Sequence, residues 1–216
     1  MTFSPPSRQR IDSLGQAATA YHKQLTEDSP AAAYLKKRGL SPDSARSFQL
    51  GYVANPLSGH ERYAGMLAIP YANRQGVIAI RYGCLEGHQC KDHGHGKYTR
   101  EPGDDAKIYN ILTLTRNAPR IAICEGEIDT ITAWQCGIPA IGVAGAQNWK
   151  NLFNRLIHGY REVVILADGD EAGLKLADTI SEKNEHATIV QMPSKFDVNS
   201  YYLEQGPAAL LEKARF

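Results

Sequence analysis

Five carboxylates in the second half of this 216-residue sequence have types and spacings that could do chemistry. Glu125 directly follows the short apolar run Ile121-Ala122-Ile123-Cys124, and Asp129 lies one helical turn on, at i+4, facing the same way. Asp168-Gly169-Asp170 follows a second apolar run, Val163 to Ala167, and Asp197 stands in the loop after a third, 187–191. Carboxylates packed together repel one another unless cations neutralise them, and hard oxygen donors suit Mg²⁺ or Mn²⁺. Two such ions can clamp the attacking and the leaving oxygen of a phosphoryl transfer. A single acid beside a strand end is commonly a helix N-cap or a first-turn charge. Glu-Gly-x-x-Asp after one strand together with Asp-Gly-Asp after another is a more specific pattern than capping produces. Gly126 and Gly169 leave room for close backbone approach beside these acids.

The elements that must hold these residues follow from periodicity. From residue 120 onward, short apolar runs at 120–124, 140–143, 163–167 and 187–191 alternate with helical stretches at 126–136, 148–156 and 171–183, and two short helices start near 199 and 207. That alternation predicts a parallel, doubly wound sheet, in which ligands sit beyond the carboxyl ends of the strands. The first 50 residues read as three helices, over 8–25, from Ser29-Pro30 to Gly39, and from Ser41-Pro42 to about Gly51. Strands at 66–71 and 76–82 flank the turn Asn73-Arg74-Gln75-Gly76, and residues 83–107 read as irregular. The fold class expected is α/β, with a parallel sheet flanked by helices preceded by a smaller mixed α+β subdomain. The boundary falls near residue 118, giving segments 1–118 and 119–216.

Charge divides the same way. The 24 Lys+Arg and 23 Asp+Glu leave a net charge of only +1, yet residues 1–119 hold 15 basic and 10 acidic residues (+5) and residues 120–216 hold 9 and 13 (−4). A basic half for an anion and an acidic half for cations is the functional reading of that split. No apolar run approaches the roughly 18–20 residues of a membrane span, so no membrane partner is expected. The start lacks a signal-peptide run. Four cysteines form no dense framework, which implies a reducing cytoplasm. No Gly-x4-Gly-Lys-Ser/Thr loop is present, so no helicase ATPase is attached.

Glu125-Gly126-Glu127-Ile128-Asp129 and Asp168-Gly169-Asp170-Glu171-Ala172-Gly173 resemble the two signatures of the TOPRIM domain, shared by DnaG-type primases, topoisomerases, some nucleases and recombination mediators. Lys195-Phe196-Asp197-Val198-Asn199 resembles a third primase motif, with Asn199 in place of its second acid. Upstream, the segments 33–40, 48–52, 69–71, 76–81, 97–103 and 106–110 resemble, in order, the RNA-polymerase region of DnaG-type primases. One departure is Arg100, where the bacterial enzymes carry Asn. The likeness spans roughly residues 30–205, and its compact style resembles phage-encoded primases.

The resemblance implies a TOPRIM catalytic domain over 119–216 behind a basic primase subdomain. Its implied activity is metal-dependent nucleotidyl transfer: short RNA primers made from ribonucleoside triphosphates on a single-stranded DNA template. It passes catalytic roles to Glu125, Asp168 and Asp170 with Asp129 in support, and metal roles to Glu125, Asp168, Asp170 and Asp197. Arg81, Lys97, Arg100 and Lys107 become candidate contacts to nucleic acid or nucleotide, and Tyr82, Tyr98 and Tyr109 are aromatic neighbours able to stack bases or to fill a core. The amino-terminal zinc ribbon of such primases does not occur here, so a separate zinc-binding protein, or a replicative helicase, is an expected partner unless the chain is a fragment. Cys84, Cys90, His93 and His95 offer zinc-type ligands at a spacing that fits no common finger, and a polar loop with incidental cysteines is the preferred reading. Two alternatives use the same acids differently. A TOPRIM nuclease would hydrolyse DNA, and a non-enzymatic DNA-binding or recombination module would have no need of clustered carboxylates that repel DNA.

Overall fold

The computed structural model describes residues 6–86, 88, 90–115, 118–145 and 148–216, and of Lys91 and His93 the backbone only. The chain divides into two compact units, Met1–Asp104 and Asp105–Phe216. In the first unit, α1 (Arg8–Gln24) is capped by the Ser7 side chain, which accepts from the Arg10 amide. The helices α2 (Pro30–Lys37) and α3 (Pro42–Ser47) each begin with a serine N-cap and a proline in the first turn, the arrangement that Ser-Pro pairs encode. A four-stranded antiparallel sheet follows, in the order β1 (Gly51–Tyr52), β2 (Leu67–Asn73), β3 (Gly76–Gly83), β4 (Tyr98–Arg100). Leu14, Ala18 and Tyr21 of α1 pack on Ala68, Val77, Ile80 and Tyr82 of this sheet to make the core of the unit.

The second unit is built on the sheet order β5-β7-β6-β8-β9, where β5 is Ile108–Tyr109, β6 Arg120–Cys124, β7 Ala140–Val143, β8 Glu162–Ala167 and β9 Ala187–Gln191. The last four run parallel, and β5 adds an antiparallel edge through Ile108 opposite Val143 and Tyr109 opposite Gly142. Both faces are covered, which is why these strands read as continuous apolar runs. Ile121, Ile123, Val163 and Ile165 face one core with Phe153 of α5 (Asn151–Ile157) and Leu176 and Ile180 of α6 (Glu171–Ser181). Ala122, Cys124, Val164 and Leu166 face the other, with Ala133 of α4 (Glu127–Gln135) and Leu210 of α7 (Val198–Ala214). Helix α7 is two helices joined at Gly206, whose φ of 83° breaks the run where two short helices are expected.

Strand order is what brings the acidic motifs together. β6 lies between β7 and β8, with Cys124 opposite Leu166, so the loops that carry Glu125 and Asp168 leave adjacent strands at the same edge. The boundary differs from the sequence expectation. Residues 105–118 join the second unit because β5 pairs with β7, while the expected division at 118 assigns them to the first. Two strands too short to show a periodicity, β1 and β5, and the three-residue β4 inside the stretch read as irregular, also emerge only in the structure.

The loop after β8 interlocks with the loop after β9. The Gly169 amide donates to the Phe196 carbonyl at 2.8 Å, and the Lys195 amide donates to the Gly169 carbonyl at 3.3 Å. A Cβ at position 169 would stand 1.9 Å from the Pro193 carbonyl oxygen, which is backbone and cannot yield. Gly169→Ala is therefore expected to cost about 3 kcal/mol through overpacking. Gly15, inside α1 with open space around it, is the converse case, and Gly15→Ala should stabilise by about 1 kcal/mol. Urea midpoints of the two variants check both signs.

Candidate metal and nucleic-acid sites

At the carboxyl edge of the second sheet, Asp170 and Asp197 cap helices, whereas Glu125, Asp129 and Asp168 do not. Asp170 is the N-cap of α6, and its Oδ1 accepts from the Gly173 amide at 2.8 Å. Asp197 is the N-cap of α7 in a capping box, with Oδ1 accepting from the Ser200 amide and hydroxyl, both at 2.6 Å. Capping therefore occupies one oxygen of each. Asp129 is buried on α4, where its Oδ1 accepts from the Asn199 amide at 2.9 Å. Its Oδ2 lies 2.7 Å from where a Cβ at Gly126 would stand, so this glycine makes room for the carboxylate. Asn199 is fully buried and donates from Nδ2 to Thr132 Oγ1 at 2.8 Å, which joins the start of α7 to α4.

Asp168 is different. It follows β8 directly, caps nothing, and its Oδ1 is buried and accepts no hydrogen bond among the described residues. Burial first, then the charges of Asp129, Glu125, Asp197 and Asp170 around it, push its pKa up to about 8. The other four candidate acids all lie within electrostatic reach of this one carboxylate. A divalent cation suits the arrangement on two grounds: the donors are all carboxylate oxygens, and the buried Oδ1 of Asp168 accepts no hydrogen bond among the described residues. Residues able to hold such an ion are Asp168, Asp170, Glu125 and Asp197, with one oxygen of Asp170 and of Asp197 already engaged in capping.

The basic candidates fall into two places. Arg81 on β3 stands directly opposite Arg100 on β4. The Arg81 guanidinium lies 4.7 Å from the centre of the Tyr98 ring, and the Lys97 ammonium lies 5.9 Å from the same centre. Like charges directly across an antiparallel pair are unfavourable, so this hairpin concentrates a positive field that an anion would relieve. Lys107 belongs to the second unit, where its ammonium donates to the Asp105 carbonyl at 3.3 Å. Of the three tyrosines, Tyr82 and Tyr109 are core residues, the first stacked on Tyr63 with ring centres 3.8 Å apart. Only Tyr98, half-buried between the cations, is open to a base.

The loop between β3 and β4 gathers a set of soft ligands. One ligand atom each from Cys84, His88, Cys90 and His95 lies within 4.8 Å of all the others. The expected set contained His93, whose side chain lies outside the described residues, and it overlooked His88. The signal was present as Cys84-x3-His88-x-Cys90-x4-His95, four zinc-type residues within twelve positions.

Comparison with known proteins adds the following. A family model described as Toprim-like matches residues 122–202. The Gene 57 protein of Mycobacterium phage D29 is 48% identical over 156 residues, covering 70% of this chain and 99% of that protein. The DNA primase of Enterococcus faecalis is 26% identical over 95% of this chain, which spans only 41% of that protein's length. Among solved structures, a DnaG primase catalytic domain bound to single-stranded DNA superposes with a TM-score of 0.73 at 20% identity, over 96% of this chain and 81% of that one.

The raised Asp168 pKa has a direct consequence for stability. The folded protein holds this proton up to about pH 8, whereas an unfolded aspartate releases it near 4, so the folded state binds the extra proton between those values. Without a divalent metal, stability should fall as pH rises from 5 to 8, by at most about 1.4 kcal/mol per pH unit from this group. Thermal melts of the wild type and Asp168→Asn in magnesium- and manganese-free buffer test this. The variant should show the flatter profile and gain stability relative to wild type as pH approaches 8.

Proposed function

Because the chain belongs to the DnaG-type TOPRIM primase family, as a phage-like catalytic core, we propose that it joins ribonucleoside triphosphates into short RNA primers on a single-stranded DNA template, using Mg²⁺ or Mn²⁺. The observation that carries this reading is Asp168, a carboxylate at a strand end whose buried Oδ1 accepts no hydrogen bond among the described residues and which four further acids crowd. A capping role does not explain why acids are gathered around a carboxyl group whose ionisation they oppose. Divalent metal bound there supplies positive charge against the triphosphate and the developing negative charge of the transition state.

The chain's own residues do the remainder. Asp168 and Asp170 leave the loop after β8 and hold the metal side of the reaction, with the Gly173 amide fixing the rotamer of Asp170. Glu125, on the adjacent strand end, either takes the proton of the primer 3′-hydroxyl as its oxygen bonds to the α-phosphorus and pyrophosphate leaves, or serves as a further ligand. Asp129 acts as a positioning residue through the Asn199 amide, which ties α4 to the start of α7. On the first unit, Arg81, Lys97 and Arg100 around Tyr98 hold the template: Arg as a fork on phosphate, Lys as a point charge, and the ring as a stacking surface. Lys107 contributes a positive charge on the second unit. No helix among the described residues is long and apolar enough to cross a membrane.

Two experiments test this. Purified chain with single-stranded DNA, ribonucleotides and Mg²⁺ or Mn²⁺ should yield short oligoribonucleotides, and Asp168→Asn should lower synthesis by about 10³-fold, the scale of several kcal/mol of lost charge stabilisation. Full synthesis by the variant would remove Asp168 from the mechanism, and DNA cleavage without nucleotides would favour the nuclease. In fluorescence anisotropy, Arg100→Gln should weaken single-stranded DNA binding across sequences and reduce the log–log salt slope by about 0.7, the loss of one phosphate contact.

A further inference from the structure

The ligand cluster between β3 and β4 is not used by the reaction above, and it gathers four zinc-type ligand atoms in one loop. Zinc takes four ligands in a tetrahedron, with Zn–N near 2.0–2.1 Å and Zn–S near 2.3 Å, so bound nitrogens lie about 3.3 Å apart and a nitrogen and a sulfur about 3.6 Å. In this loop His88 Nε2 and His95 Nε2 are 3.1 Å apart, and Cys84 Sγ is 3.7 Å from His88 Nε2. Cys90 Sγ completes the set within the 4.8 Å that spans all four ligand atoms.

The outer contacts point the same way. His88 Nδ1 lies 2.7 Å from the Glu86 carboxylate, and His95 Nδ1 lies 3.0 Å from the Gly96 carbonyl oxygen. Both acceptors are oxygens, so each neutral imidazole carries its proton on Nδ1 and turns an Nε2 lone pair inward. Two such lone pairs facing each other at 3.1 Å repel, and a cation between them reverses the sign of that contact. A carboxylate or backbone carbonyl behind the ligating histidine is also the support that zinc-bound histidines ordinarily have.

We infer that Cys84, His88, Cys90 and His95 bind one structural zinc ion, which staples the β3–β4 connection of the first unit. With both cysteines as thiolates the site is neutral overall, as suits a partly buried loop. All four positions are filled by protein atoms, so the site has no open position for substrate and its role is structural. Its effect is local: the Cys84 amide donates to the Lys97 carbonyl at 2.8 Å, directly between the cluster and the strand that carries Tyr98 and Arg100. Zinc would thereby fix the hairpin on which Arg81 and Arg100 stand opposite each other. The inference does not depend on the nucleotidyl-transfer reading, since it concerns different residues and a different class of metal.

The test uses the full chain, purified under reducing conditions without chelator from zinc-supplemented cells, with metal content measured by mass spectrometry. One zinc per chain is expected in the wild type and in Asp168→Asn, falling to a small fraction in Cys84→Ser/Cys90→Ser. Glu86→Gln should keep the site but weaken zinc affinity about tenfold in competition with a chromogenic chelator. Cobalt loaded in place of zinc should give the visible bands of a tetrahedral thiolate site, a readout on the wild type that needs no variant to fold. Wild-type protein with little zinc and no such cobalt spectrum, a Cys84–Cys90 disulfide in the reduced preparation, or zinc content unchanged in the double cysteine variant would each overturn the assignment.

Discussion

Mutual repulsion among carboxylates at one edge of a parallel sheet is the constraint on which the second unit is arranged. Four acids come within reach of Asp168, and one of its oxygens is buried without a hydrogen bond among the described residues. Such crowding opposes folding, and the rest of the unit offsets it. Two fully covered faces of apolar strand anchor the loops, and helix N-termini stabilise Asp170 and Asp197 through their amides. The backbone hook between Gly169 and Phe196, with no space for a side chain at 169, holds the two loops in register. No helix amide reaches Asp168 Oδ1 among the described residues, and a cation beside it would neutralise the crowded charge.

The first unit answers with the opposite charge. At the structural division the units carry 13 basic and 9 acidic residues (+4) and 11 basic and 14 acidic residues (−3). The asymmetry seen in the sequence therefore persists when the boundary moves. On its positive side Arg81 and Lys97 flank Tyr98 and Arg81 stands opposite Arg100, while Arg10 is engaged with Glu101 and Asp104. A positive hairpin needs a rigid backbone to keep like charges apart from solvent-driven rearrangement, and the proposed zinc staple lies at its closed end.

Most of this was legible in the sequence where one physical signal acted alone. Ser-Pro pairs announced α2 and α3, and alternating apolar runs announced the parallel strands. The acids at strand ends were visible because a carboxylate after an apolar run has few reasons to be there. Other features depend on tertiary partners. β5 is two residues long and becomes a strand only by pairing with β7, so the unit boundary near 105 had no local mark. Tyr82 and Tyr109 stand beside candidate cations in sequence yet are buried, because strand alternation turns them to the core. Asn199 replaces an acid of the resembling motif, and its buried side-chain amide donates to Thr132 Oγ1, which a carboxylate cannot do. His88 was overlooked because its spacing matches no familiar finger; proximity in the loop, not periodicity, brings it to Cys84.

The central claim is that Asp168 marks a divalent-metal site, and diffraction locates metal directly. Crystals soaked in Mn²⁺ and measured at the manganese absorption edge should show an anomalous peak within direct coordination distance of the Asp168 carboxylate, absent in Asp168→Asn crystals. Strong manganese peaks elsewhere with none beside Asp168, or an unchanged peak in the variant, would contradict the account.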